Sequence, residues 1–107
     1  MSYLQNYIVK GHDNPVVLLF DFDGDFATSG LNNFNRIVVE IGNESYDTDG
    51  DYVDIHSDTE LRIRIGTQTS LPEGEHKLTI IGYSTTYTNG YELTSDDVMR
   101  IAPVKVV

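Results

Sequence analysis

The stretch "VVLLFDFDGDFATSG", residues 16 to 30, decides how the chain folds. Residues 16 to 20 are all apolar, and they run directly into Asp21, Asp23, Gly24 and Asp25. Three structures fit such a stretch: a parallel strand presenting two carboxylates at its end, a loop whose alternating carboxylates converge on a hard cation, or a strand that enters an acidic turn. Leu18, Phe20 and Phe22 fall on the face opposite Asp21. Val17 and Leu19 make the other face apolar too, the pattern of a central strand covered on both sides. The flanking sequence separates the three.

Moving outward, the dominant pattern has period two. "ELRIRIG" (60–66) alternates Leu61, Ile63 and Ile65 with Arg62 and Arg64, which buries one face of a strand and wets the other. "NRIVVEIG" (35–42) places Ile37, Val39 and Ile41 inward and Glu40 outward. "HKLTIIGYS" (76–84) does the same with Leu78 and Ile80, and "DYVDIHS" (51–57) with Val53 and Ile55. "YLQNYIVK" (3–10) and "VMRIAPVKVV" (98–107) are further strand candidates; Pro103 cannot donate to a ladder, so the last is expected at an edge or a bulge. "GLNNFNRI" allows one short helical turn, and "LTSDDVMRI" has a helix-start signal at Ser95, but neither supplies the 10 to 12 periodic residues of a stable helix. Turn clusters such as "GNES", "DTDGD", "LPEG" and "TNG" punctuate the strands. The spacing predicts an all-β, antiparallel β-sandwich of seven to nine strands, forming a single domain over 1–107.

A parallel sheet needs crossover helices, and this pattern offers none. That bears on "LLFDFDG", which resembles the nucleophile strand of haloacid-dehalogenase-type phosphatases, with Asp21 as nucleophile and Asp23 as acid-base partner. Asp25 stands where that family has Thr or Val, and no partner lysine or second acidic loop accompanies the pair, so no catalytic activity is expected. "DTDGD" (47–51) repeats the Asp-x-Asp-Gly-Asp pattern 26 residues on, and both copies match the first five positions of an EF-hand-like calcium loop. The sixth position, which wants Gly, is Phe26 or Tyr52, and the twelfth is Asn32 or Asp58 rather than Glu. A looser calcium site from Asp47, Asp49, Asp51 and Asp54 stays open; otherwise no cofactor is expected. Asp and Gly are also ordinary turn formers, which favours the strand-into-turn reading of residues 16 to 30.

With 17 acidic against 7 basic residues, the net charge of −10 repels phosphates and argues against nucleic acid as a partner. The chain has no cysteine, so disulfides and thiolate metal sites are excluded. Met1–Gln5 lacks a basic n-region and no apolar run reaches the roughly 18 residues of a membrane span, so synthesis in a cytoplasm without membrane insertion is expected. His12, His56 and His76 are too scattered for a local zinc motif.

The chemistry that stands out is tyrosine. Tyr83 precedes "STTYTNGY" (84–91), a hairpin tip or long loop that contains Tyr87 and Tyr91, where large rings offer contact area at low entropic cost. The carboxy-terminal run is the second candidate interface: Val104 and Val106 either pack within the sheet or add to a neighbour's strand edge.

"LPEGEHKLTIIGYS" (71–84) resembles the Leu-Pro-x-Gly-x-Tyr-x-Leu-x-Val entry to a late strand in immunoglobulin-like domains of bacterial and phage proteins. On that resemblance Leu71 anchors the turn, Gly74 permits it, and Leu78 and Ile80 face the core. His76 stands at the Tyr position, so the corner hydrogen bond of that tyrosine is expected to be missing. "KGHDNPVVLLFDFDGD" followed by "GLNNFNRIVVEIG" is similar to the opening of small tailed-phage virion domains, including baseplate-protein N-terminal domains. The resemblance implies an immunoglobulin-like sandwich and a noncatalytic bacteriophage virion protein of the tail or baseplate, made in the bacterial host cytoplasm. Such a protein would act through protein–protein interaction with other virion structural proteins or with itself, in structure, assembly or attachment. A carbohydrate-binding module, with the three tyrosines as stacking platforms, is the alternative, as is a small calcium-binding β-domain.

Overall fold

In the computed structural model, residues 6–22, 24–94 and 104–107 are described. Among these residues there are ten strands: β1 (Asn6–Ile8), β2 (Val16–Leu19), β3 (Arg36–Ile41), β4 (Glu44–Asp47), β5 (Val53–Ser57), β6 (Glu60–Ile63), β7 (Gly74–His76), β8 (Leu78–Tyr83), β9 (Tyr91–Glu92) and β10 (Val104–Val106). The helical content among the described residues is two single 3-10 turns, at Gly24–Phe26 and Gly30–Asn33. The second lies inside "GLNNFNRI", where one turn was expected. Ser95 and its helix-start signal lie outside the described residues.

The chain is all-β and built as a sandwich. One wall is a three-stranded sheet ordered β2-β6-β5, the other a four-stranded sheet ordered β4-β3-β8-β9, and a third, ordered β1-β10-β7, gathers the chain ends. The shortest dimension, 21 Å, suits two sheets packed about 10 Å apart with side chains beyond them. Leu18, Leu61 and Ile63 from the first wall meet Ile37, Val39, Ile41, Leu78 and Ile80 from the second in one contiguous core. All of these but Leu18 are placed inward by the period-two pattern, because a pleated strand turns alternate side chains to opposite faces. Ile8, Val104 and Val106 carry that core into the third sheet.

The pairing departs from the sequence expectation in four places. First, β1 runs parallel to β10, so the sandwich is not wholly antiparallel. Second, "HKLTIIGYS" is not one strand. The chain changes sheets at Lys77, with β7 pairing β10 and β8 pairing β3, and this sharp passage forms a corner of the sandwich. Third, β10 is internal to its sheet rather than an edge, since β1 and β7 flank it on both sides. Fourth, β2 stands at the edge of its sheet rather than at its centre. His76, at the position where the tyrosine's bond is expected to be missing, makes a different bond of its own. Its Nε2 lies 2.8 Å from the Pro72 carbonyl oxygen, and because a carbonyl only accepts, Nε2 is the donor.

Two further contacts fix the geometry around the surface described below. The β3–β4 hairpin turns through Gly42 and Asn43, with Ile41 paired to Glu44 and Gly42 at φ +58°, a two-residue turn that needs positive φ. A side chain at Gly42 would collide with Leu71, so the buried Leu71 sits directly under this turn. There Glu44 clasps the neighbouring segment: its carboxylate accepts from Thr69 Oγ1 (2.8 Å), Ser70 Oγ (2.6 Å), the Ser70 amide (3.0 Å) and the Tyr46 hydroxyl (2.9 Å). These donors, led by the Ser70 hydroxyl, hold the Glu44 carboxyl down at about 2. Burial, then Glu44, pushes the Tyr46 phenol up to about 12.

Candidate interaction surface

The β8–β9 hairpin carries the three tyrosines, and the structure divides them. Tyr87 and Tyr91 turn inward and pack half-buried on the core. Tyr91 meets Phe26 edge-on with centroids 4.9 Å apart, and Tyr87 lies 5.8 Å from Phe26, 6.4 Å from Phe34 and 5.2 Å from Tyr91. Edge-to-face and tilted arrangements of this kind suit the ring quadrupoles and add to the burial itself. The site depends on Gly82, because a β-carbon there would stand 2.5 Å from the Phe34 ring, too close for any real contact. These two tyrosines therefore brace the hairpin and are not free contact residues.

Tyr83 is the outward member. It pairs with Arg36 across β3 and β8, and the Arg36 guanidinium carbon lies 5.5 Å from the centre of its ring. The same guanidinium donates to Asp47 Oδ2 at 2.8 Å through Nη2 and 3.1 Å through Nε, and stands 3.5 Å from Asp49 Oδ2. Asp47, foremost through its hydrogen bond, raises the Arg36 pKa further; that same bond lowers the carboxyl pKa of Asp47. Arg36 is thus held as a cation against the face of a tyrosine, where the negative face of the ring attracts it.

Beside this pair lies a shallow open depression of about 270 Å³, lined by Asn35, Tyr83, Ser84, Thr85 and Thr88. Its rim is ordered by local bonds. The Ser84 hydroxyl accepts from the amides of Thr86 (3.2 Å) and Tyr87 (3.1 Å), the Gly90 amide donates to the Tyr87 carbonyl (3.1 Å), and the Asn35 amide donates to the Tyr83 carbonyl (2.8 Å). Gly90, at φ +89°, leaves room that a side chain would take from Tyr83 and Ile81. A rim fixed in advance loses little freedom when something binds against it.

The remaining sequence candidates come out differently. Val104 and Val106 are each 0 % exposed, and their strand is paired on both sides, so in this fold they have no surface to give a partner. Asp47 is occupied by Arg36 and by the amides of Asp49 and Gly50, which donate to its Oδ1 at 3.1 and 3.2 Å. Asp49 is a second, looser partner of Arg36, and Asp54 lies opposite Arg62 across β5 and β6. Among the described residues, no three of Asp47, Asp49, Asp51, Asp54 or any other acidic or histidine side chains gather to hold a metal ion. Asp21 is exposed just beyond β2, and its companion Asp23 lies outside the described residues. His56 sits where the β5–β6 register shifts, and Arg62 Nη2 donates to its Nδ1 at 2.9 Å.

Sequence reasoning missed both the Arg36–Tyr83 pair and the Glu44 clasp. The first was readable from the antiparallel pairing of "NRIVVEIG" with "LTIIGYS" once their register was fixed. The second joins residues 25 and 26 positions apart through polar side chains, and no periodicity marks it.

Compared with known proteins, the chain matches no family model, no curated protein and no solved structure.

Proposed function

We propose that this chain is a noncatalytic binding module that works by protein–protein association through its Tyr83 end. The observation that carries the reading is the ordered depression of Asn35, Tyr83, Ser84, Thr85 and Thr88 beside a cation fixed on the tyrosine ring. Tyrosine and arginine are the residue types that dominate binding energies at protein interfaces. Serine, threonine and asparagine around them supply adaptable hydrogen bonds, as they do in antibody paratopes. The setting we propose is a tailed-phage virion, in the tail or baseplate, with another virion structural protein as the partner. That setting is supported by the likeness of "LPEGEHKLTIIGYS" to a late-strand entry of immunoglobulin-like domains, and of "KGHDNPVVLLFDFDGD" and "GLNNFNRIVVEIG" to the opening of small tailed-phage virion domains.

The test is a titration of the purified chain against each structural protein encoded beside it, repeated with Tyr83→Ala. The expected result is saturable binding to at least one of them, weakened about tenfold or more by the substitution, the size of loss seen when a hot-spot aromatic is removed. Binding that ignores Tyr83→Ala would refute the assignment of the surface.

A second reading has its own support in the same place. A ring flanked by hydroxyl and amide groups is also chemistry that stacks on a sugar and bonds its hydroxyls. A glycan array with the wild-type chain and Tyr83→Ala separates the two: retention of a glycan that depends on Tyr83 would replace the protein partner by a carbohydrate one.

A further inference from the structure

We infer that the outer face of the β2-β6-β5 sheet is a self-complementary surface on which two copies of this chain pack about a two-fold axis. The starting point is the sequence anomaly at β2. "VVLL" is apolar on both faces, as a strand covered on both sides would be, yet its outer face is only partly covered. Val16 and Leu18 point into the core, whereas Leu19 is 67 % exposed and Val17 lies between the two extremes. The exposed row is therefore built like an interior and left outside.

The register shows what would cover it. Val17 pairs with Arg62, and Arg62 with Asp54; one row on, Leu19 pairs with Glu60, and Glu60 with Ser57. Directly paired residues share a face, so the outer surface carries two adjacent rows about 7 Å apart, two residues along the strands. One reads Val17, Arg62, Asp54 and the other Leu19, Glu60, Ser57. A two-fold axis lying in the interface, perpendicular to the strands and midway between the rows, lays each strand over its own counterpart and exchanges the rows. Arg62 then meets Glu60 of the second copy, Glu60 meets its Arg62, and Val17 and Leu19 cover each other twice. A two-fold interface must be self-complementary in this way. The other in-plane axis, parallel to the strands through β6, sets Arg62 against Arg62 and is rejected by charge.

The side chains are placed for it. Arg62 uses Nη2 on His56 and, among the described residues, makes no ion pair; the rest of its planar fork is free for a carboxylate. Among the described residues, the Glu60 carboxylate has one long contact, 3.4 Å from Ser57 Oγ. In a chain of net charge −10, this face sets Arg62 beside both Asp54 and Glu60, and about the first axis Arg62 faces Glu60 while Asp54 faces Ser57, so two copies approach here without facing like charge with like. The surface is separate from the Tyr83 end and does not depend on it.

The experiment is sedimentation equilibrium of the full chain at about 0.15 M salt, where screening over about 8 Å suppresses the repulsion between whole molecules but not contact pairs. Four variants are compared: Arg62→Glu, Glu60→Arg, the double exchange, and Leu19→Lys. Wild type is expected to dimerise. Each single charge reversal should raise the dissociation constant at least tenfold, and the double exchange, which restores the pairs in reversed order, should return it to within about threefold of wild type. Glu60→Arg is the discriminating single change, because it makes the chain less negative and would tighten any association limited by net repulsion alone. Leu19→Lys should also give monomer, and it reads the interface should a charge variant fail to fold. Tyr83→Ala should leave the dimer unchanged, so loss of partner binding at that end and loss of the dimer are read separately. A wild type that stays monomeric up to about 1 mM, or a double exchange no tighter than the single reversals, overturns the inference.

Discussion

Replacing Glu44 by glutamine removes one negative charge while keeping the side chain's size, and the structure sets the expected cost. The carboxylate accepts four hydrogen bonds, three of which tie the β3–β4 hairpin to Thr69 and Ser70, directly above the buried Leu71, while the fourth comes from Tyr46 within β4. Its pKa falls from 4.5 to about 2 on folding. At face value that difference corresponds to about 3 kcal/mol of stability at neutral pH. Glu44 keeps part of its surface in water, and solvent screening reduces the figure to about 1–2 kcal/mol. For a domain of this size, the loss should lower the melting temperature by roughly 5–10 °C. The sign with pH follows from the direction of the shift. A carboxyl depressed in the folded state stabilises fully above its unfolded pKa, and the contribution disappears as pH falls from about 4.5 towards 2. Thermal melts of wild type and Glu44→Gln from pH 7 to pH 2.5 should therefore start apart and converge. Asp47 is also depressed and moves both proteins alike, so only the difference between them is diagnostic. A gap that stays constant over this range, or a gap under about 0.3 kcal/mol at pH 7, would show that the clasp does not stabilise the fold.

Other outcomes follow from the packing. Gly82→Ala forces a β-carbon into the Phe34 ring and should cost about 1–3 kcal/mol in chemical denaturation, whereas an alanine tolerated without loss would mean the ring is free to move aside. Ile63→Asp places a charge at a position 2 % exposed and should abolish the folded far-UV spectrum; Arg62→Asp, on the opposite face of the same strand, should leave it intact. Millimolar calcium should shift the melting temperature by less than about 1 °C, since Arg36 already neutralises Asp47, and a saturable rise that Asp51→Asn removes would reinstate a calcium site.

What the sequence disclosed was the half of the structure that depends on burial. Ile37, Val39, Ile41, Leu61, Ile63, Leu78 and Ile80 recur at every second position of their strands, and each is buried. Phe20 is buried with them, while Phe22 stays half-exposed, stacked on Phe20 at 5.4 Å. β4 escaped notice because "ESYD" has no apolar alternation; it is a strand by virtue of backbone pairing with β3. β7 was merged with β8 because nothing in "GEHKLTI" marks the change of sheet at Lys77. The proposed binding end was half legible. Tyrosines around a turn pointed to a hairpin tip, but only packing against Phe26 and Phe34 separates the two that brace it from the one that faces out. The terminal valines misled for the opposite reason: their apolarity serves the interior, where β10 lies between β1 and β7.

The most direct test of the Tyr83 end as the working surface is an amide chemical-shift map, recorded as the isotope-labelled chain is titrated with a structural protein that binds it. The perturbed amides should cluster at Asn35, Arg36 and Tyr83–Thr88, and the same titration of Tyr83→Ala should leave them nearly still. Perturbations centred elsewhere on the sandwich, with the 83–88 amides unmoved, would contradict it.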